Sequence, residues 1–379
     1  MPIVVEPFSD KHVPAVREFN KRISEGRIPY RFPESPVPRW LPRRDPIPLY
    51  QECFVAQEEG KTVRGGYVLK HQPFACRGEV SMIADYQLPI SEGTVDSRYA
   101  LVGLLMLKDA LKREPLMFAL GIGGYQESLT RMLKAMKWPT VSCPFFFKVI
   151  HPFRFLREIA FLRKKRFMVI ALDLLAFSGL GWLLIKSIQS VRQLGRSVEA
   201  AIRMEEADGF SSWSDEIWKQ VKDRYAFVGM RDATILNTLY PITDSRFRRI
   251  KVLRRDKVIG WAVVLNTKME NDHYFGSLRV GSVVDCLAEE GEESYVVTMA
   301  TRFLERLGVD IIVTNQLHRA WCQAFLRHGY LAGPSNYIFA VSPPLAKKLH
   351  PFDIVVSNAH VTRGDGDGPG HLLAKDSSV

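Results

Sequence analysis

Short β-branched runs alternate with amphipathic stretches along most of the chain, and their order is legible. Residues 2–6 are β-branched, and Asp10 can cap a helix to about Ile23, with Val13, Val16, Phe19 and Ile23 at helical spacing. Between residues 29 and 48 lie Pro29, Pro33, Pro36, Pro38, Pro42, Pro46 and Pro48, with Arg31, Arg39, Arg43 and Arg44 among them. That spacing excludes a regular helix and marks a long loop, of a length that is often functional or mobile. Strands are predicted over Cys53–Gln57, Thr62–His71 and Glu79–Leu88, then a mostly buried helix over Arg98–Lys112. A strand at Leu116–Leu120 ends in Gly121-Ile-Gly-Gly124, where a turn with positive φ is expected. A helix over Gln126–Lys137 and a single strand over Thr140–Ile150 close the first unit.

The same order, β-α-β-β-β-α-β-α-β, then recurs. Val198–Met204 can supply a first strand and Trp213–Ala226 a helix; residues 231–240 are helical before Pro241. Phe247–Leu253 and Val258–Thr267 make a hairpin around Arg255-Asp256, followed by a strand at Arg279–Leu287 and a helix at Glu293–Leu307. Val309–Thr314, His318–Gly329 and Tyr337–Val341 read as strand, helix and last strand. Repetition of element order without residue identity points to an ancient duplication. The division is therefore 1–150, a connector at 151–197, a second unit at 198–345 and a tail at 346–379.

Composition changes this picture in two ways. The 379 residues carry a formal net charge of +11, and residues 151–200 hold nine Lys/Arg against three acids, so six of those eleven charges sit in that single stretch. A basic groove along the whole protein is not implied, and nucleic-acid binding is not expected. The five cysteines (Cys53, Cys76, Cys143, Cys286, Cys322) form neither a CxxC pair nor a metal-ligand spacing. With no charged-then-apolar leader after Met1, reduced thiols and a cytoplasmic location are expected.

Ile311-Ile-Val-Thr-Asn315, followed by a helix ending in His328-Gly-Tyr330, is similar to the strand, Asn, helix and closing Gly-Phe of GNAT acyl-CoA-dependent N-acyltransferases. Lys134-Ala-Met-Lys-Trp138 takes the corresponding place in the first unit, and the second half resembles bacterial tandem GNAT proteins. The resemblance covers most of 1–150 and 198–342. It implies an α/β (α+β) fold of two tandem GNAT-like mixed-sheet domains joined by an apolar helical connector. It also implies acetyl-CoA or another acyl-CoA as cofactor, an amine as acceptor, and a pyrophosphate on backbone N–H groups at the loop-to-helix junction after the fourth strand. Carried onto this sequence, the cofactor-binding candidates are Gln87, Ser91, Gly93, Thr94, Arg98, Gly123 and Gly124. In the second unit the equivalent loop, Leu287-Ala-Glu-Glu-Gly-Glu-Glu-Ser294, carries four glutamates that would repel a pyrophosphate, so only the first unit is expected to bind cofactor.

The family's proton-donating tyrosine is missing: the matching positions hold Leu133 and Phe325. Tyr125 is the replacement candidate, with Tyr99 as an alternative. Asp85, a carboxylate in an otherwise apolar strand, is the candidate base, ahead of Glu79 and Asp285. Within the connector, Phe167–Ile185 is nineteen residues with one charge, Asp173. As one helix it would reach roughly 28 Å. It can be buried between the units, lie on an anionic cytoplasmic leaflet through 154–192, or span a membrane. Three functions fit: N-acyl transfer to an amine, Fem-type aminoacyl transfer to a membrane-linked precursor, or a non-catalytic GNAT-like binding module. The motif Thr362-Arg-Gly-Asp-Gly-Asp-Gly368 is expected to be flexible tail.

Overall fold

The computed structural model describes residues 3–191 and 201–366. Strand β1 (Ile3–Pro7), helix α1 (Val13–Glu25) and strands β2 (Tyr50–Glu58), β3 (Thr62–Cys76) and β4 (Glu79–Ser91) open the chain. Helix α2 (Val102–Arg113), β5 (Met117–Leu120), α3 (Ser128–Ala135), β6 (Thr140–Ser142) and β7 (Phe145–Val149) follow. The connector forms α4 (Pro152–Glu158), α5 (Arg166–Phe177) and α6 (Leu180–Val191). The second unit runs β8 (Ile202–Ala207), α7 (Ser212–Val221), β9 (Phe227–Gly229), α8 (Ala233–Leu239), β10 (Arg248–Arg254), β11 (Lys257–Lys268) and β12 (Arg279–Ala288). After α9 (Glu293–Arg306) come β13 (Ile311–Asn315), α10 (Arg319–Arg327), β14 (Leu331–Gly333) and β15 (Ile338–Val341). The chain then adds α11 (Pro343–Lys348), α12 (Phe352–Val355) and β16 (Ala359–His360).

The two units trade strands. The first sheet has the order β1-β2-β3-β4-β5-β15-β6 and the second β14-β7-β13-β12-β11-β10-β8. The strand expected over Thr140–Ile150 is thus two strands in different sheets, split at Cys143-Pro144. Proline lacks the N–H that a continuing ladder needs. Cys143 N–H donates to Tyr337 at 2.8 Å while Gln316 N–H donates to the Pro144 carbonyl at 3.1 Å, so the crossover is held from both sides. Likewise β15, expected to end the second sheet, inserts between β5 and β6. Boundaries at 150 and 198 therefore separate the chain but not the sheets; residues 192–200 lie outside the described part.

Packing fuses the halves further. The face of the first sheet carrying Phe54, Tyr67 and Tyr86 is covered by α2 and α3 through Val102, Met106, Leu107 and Leu133. On the second sheet, α9 and α10 cover one face and α4–α6 part of the other. A third core joins Ala75 of the first sheet and Val284 of the second with α7, α8 and Trp40, Leu41 and Leu49 of the proline-dense loop. That loop, without helix as expected, acts as a strap across both sheets.

The tail departs most from expectation. Residues 346–366 are not loose: β16 pairs in parallel with β9, and Thr362 bridges to Gln316. Gly364 and Asp365 are buried. A Cβ on Gly364 would stand 2.1 Å from the Tyr240 hydroxyl, so only glycine passes there. Asp365 accepts from Arg231 Nη2 at 2.6 Å, and Arg231 Nε stands 2.8 Å from Asp285, with all three side chains buried. Lys70, on β3, donates to the carbonyls of Asp365 and Gly366. A buried guanidinium costs several kcal/mol unless paired. Here the pairing needs the second sheet and the inserted tail together. Residues 367–379 lie outside the described part.

Two stability tests follow from this. Asp365→Ala leaves Arg231 one carboxylate short and is expected to cost about 3–5 kcal/mol in urea unfolding; a loss below about 1 kcal/mol would contradict the pairing. His318 and, within the tail, His360 are both buried, and burial is the main cause that pushes their imidazoles down, to about 4 and about 3. Protons then bind the unfolded chain first. The contribution is full above about pH 6.5 and falls by up to ~1.4 kcal/mol per pH unit for each histidine as pH drops below that. Urea titrations between about pH 7 and pH 5 should show this slope, and a flat profile would exclude it.

Candidate active site at the first strand fork

Strands β4 and β5 pair only at Ala84↔Met117 and Asp85↔Phe118, although β4 runs on to Ser91 and β5 to Leu120. Beyond Asp85 the sheet opens into a fork. The ladder to β3 slips here too: Val68 faces Gln87 but Gly66 faces Ile90, and Leu88 takes φ 46°. Such a bulge re-aims side chains and leaves backbone polar groups unpaired beside a site.

Asp85 is buried at the apex of the fork and accepts a hydrogen bond from Gln87 Nε2 at 2.7 Å. Gln87 in turn accepts from Gln51 Nε2 at 2.7 Å, so its amide orients Asp85 and is not left to face a cofactor. Lys70 is the cross-strand partner of Asp85. Buried Gln72, two residues on, has no hydrogen-bond partner for its amide O or N among the described residues. Asp85, Lys70 and Gln72 thus share one polar face of the first sheet, continuous with Arg231 and Asp365. An unsatisfied buried amide is costly.

The mouth of the fork is the N-terminus of α2. This helix has Leu101 as N-cap, no capping side chain and no acid in its first turn, so no side chain of its own neutralises its leading N–H groups. Leu101 at this helix end is 69% exposed, and Leu105, one turn on, is exposed as well. A Cβ on Gly103 would stand in ordinary contact with Met132 Sδ and Ser91 Cβ, both at 3.9 Å, so α2 runs there between α3 and the end of β4.

The other sequence candidates fall around this mouth with different duties. Ser91 accepts from Gly93 N–H at 3.1 Å, and Thr94 Oγ1 donates to the Ser91 carbonyl at 2.8 Å, so both hydroxyls hold the loop shape. Gly93 is needed because a Cβ would lie 2.5 Å from the Tyr99 carbonyl. Arg98 pairs with Asp96 at 2.6 Å and is exposed. Glu92 turns inward to Arg22 and Arg64, each at 3.0 Å, and the Arg64 guanidinium stacks on Tyr99. Gly121 and Gly123 have φ of 72° and 83°, the expected turn, while Gly124 is open to solvent. Tyr125 lies on this loop, its ring 4.2 Å from Lys134 Nζ. Of the weaker bases, Glu79 is exposed near Lys348, and Asp285 is consumed by Arg231 and Tyr240. Leu133 and Phe325 are core residues.

The second unit has the same fork, and it is sealed. Thr314 Oγ1 donates to the Val283 carbonyl at 2.9 Å across it. The tail fills the remainder: His360 Nε2 lies 2.9 Å from the Cys286 carbonyl, Leu317 N–H donates to Val361 at 3.2 Å, and Thr362 Oγ1 donates to Asp285 at 3.2 Å. At the mouth, α9 carries Glu292 at its N-cap and buried Glu293 in its first turn, carboxylates standing where an anion would otherwise bind. The acidic loop was visible in the sequence; the plug was not.

No family model matches the chain, and no curated protein matches it in sequence. Solved structures do. Saccharomyces cerevisiae N-myristoyltransferase with bound myristoyl-CoA aligns at TM-score 0.52 and 9% identity, over 90% of this chain and 79% of that one. A conserved Enterococcus faecalis protein described as a probable N-acyltransferase aligns at TM-score 0.50 and 7% identity, over 92% of this chain and 75% of that one. A tandem GNAT protein of the clavulanic acid biosynthesis pathway aligns at TM-score 0.48 and 10% identity, over 90% and 98%. At such identities the first two likenesses speak to architecture alone. The chain has a mixed α/β fold with two mixed sheets, and in architecture it is similar to those two structures.

Proposed function

We propose that the chain transfers an acyl group from acetyl-CoA or another acyl-CoA to an amine, using the first fork alone. The observation that carries this reading is the contrast between the two forks: one opens onto an uncapped helix N-terminus, the other is filled by the tail.

The residues present suit such a cofactor. The leading N–H groups of α2 would hold its pyrophosphate, and exposed Leu101 and Leu105 would flank its pantetheine arm. When bound, the cofactor supplies an activated thioester. Asp85, oriented by Gln87, receives a proton from the incoming amine as its nitrogen forms the new bond to the acyl carbon. As the carbon–sulfur bond breaks, Tyr125 is the candidate donor to the leaving thiolate. The strand fork fixes these groups before the reactants arrive, which is where much of the rate would originate.

Thermal denaturation tests the cofactor site. A hundredfold excess of acetyl-CoA over its Kd should stabilise the protein by about 2.7 kcal/mol. Leu101→Glu, at an exposed position, should weaken that binding on the order of tenfold by placing a carboxylate at the helix end. No stabilisation by any acyl-CoA or by free CoA would leave a non-catalytic binding module as the better description. For the chemistry, Asp85→Asn should lower kcat by about 10²–10⁴ with cofactor affinity retained; unchanged turnover would remove Asp85 from the reaction.

A further inference from the structure

The connector is neither one helix nor buried between the units. Phe167–Ile185 breaks at Ser178-Gly179, where Gly179 takes φ 74°, and α5 and α6 meet at a bend of 79°. No single described helix is long and apolar enough to cross a membrane. The hairpin is fastened to the outer face of the second sheet. Leu172 and Ala176 pack with Leu156, Ile159 and Val280, and Lys186 Nζ donates to the Ile150 carbonyl at 3.1 Å. Gly181 sits so close to Leu156 that a Cβ would lie 2.4 Å from its Cδ1.

What remains outward is apolar. On α5, Phe167, Ile170, Leu174 and Phe177 recur at helical spacing, each more than 60% exposed. On α6, Leu180 next to the turn, Trp182 and Leu184 are each more than half exposed. Isolated exposed leucines need no explanation, but a contiguous face of this kind marks an interaction surface. Its charge setting selects the partner. Exposed Lys164, Lys165 and Arg166 stand at the base of α5, with Lys164 Nζ 5.1 Å from the Phe161 ring and Lys165 Nζ 5.9 Å from the Phe167 ring. The one acid within the hairpin, Asp173, is neutralised by Arg163 at 2.6 Å and Arg157 at 3.7 Å.

We propose that the α5–α6 hairpin docks on an anionic lipid surface, its apolar face entering the acyl boundary and the Lys164–Arg166 cluster meeting the headgroups. An apolar tip, a Trp beside it, a cationic base and no uncompensated acid are what such a surface recognises. A protein groove would require none of the cations. The inference stands apart from the acyl-transfer reading.

The test is flotation of the full chain with vesicles of equimolar phosphatidylcholine and phosphatidylglycerol, against pure phosphatidylcholine. The wild type should float with the anionic vesicles at low salt and much less with the neutral ones. Leu174→Glu with Leu184→Glu, and separately Lys164→Glu with Lys165→Glu, should each reduce bound protein on the order of tenfold. All four positions are exposed, so the urea midpoint should not move. Quenching of tryptophan fluorescence by bromine-labelled acyl chains should disappear in Trp182→Phe. The proposal falls if the wild type stays unbound, or if the Leu174/Leu184 variant floats equally well. It also falls if lipid-free protein is a dimer that those substitutions split, for the face would then belong to a second copy.

Discussion

Everything distinctive about this molecule depends on a guanidinium buried where two sheets meet. Arg231 lies between Asp285 on the second sheet and Asp365 in the tail, with Lys70 of the first sheet holding the same tail carbonyls. Burial is the largest influence on both carboxyls. At Asp285 it prevails and pushes the carboxyl up; at Asp365 Arg231 and Lys70 outweigh it and hold the carboxyl below its usual range. No subset of these groups is a tolerable arrangement in a dry interior. The sheets must meet and the tail must enter for any of them to be paired, and Gly229 and Gly364 leave the room for it: a Cβ on Gly229 would lie 2.4 Å from Arg231 Nη1.

That constraint turns a duplicated architecture into an asymmetric one. Two forks of the same topology are present, but the tail can satisfy Asp285 only by occupying the second. The first fork keeps its polar apex, its bulge and its uncapped helix. Strand exchange through β7 and β15 ties the two sheets that carry the forks together.

The sequence showed local patterns well and partners poorly. Thr62–His71 and Glu79–Leu88 lie within β3 and β4, and Glu293–Leu307 differs from α9 by one residue, because alternation and helical spacing are properties of the segment itself. The positive φ of Gly121 and Gly123 was legible for the same reason. Which sheet a short strand joins is decided by distant contacts, and Pro144 was its one local sign. At the site, Asp85 was visible as a charge in an apolar strand. Gln87, Ser91 and Thr94 have internal duties that spacing does not reveal. Lys70, Gln72, Arg231 and Asp365 are scattered over almost the whole chain without a shared motif, so their assembly was out of reach. The single expected connector helix failed at Gly179, whose left-handed conformation ends α5 and starts the hairpin.

The most direct measurement is amide hydrogen exchange of the full chain with and without acetyl-CoA, resolved by peptide. An open first fork and a sealed second one require new protection over residues 98–105, at the start of α2, and none over residues 289–296, at the start of α9. Protection at α9, or none at either helix, would contradict the assignment of the site to the first fork.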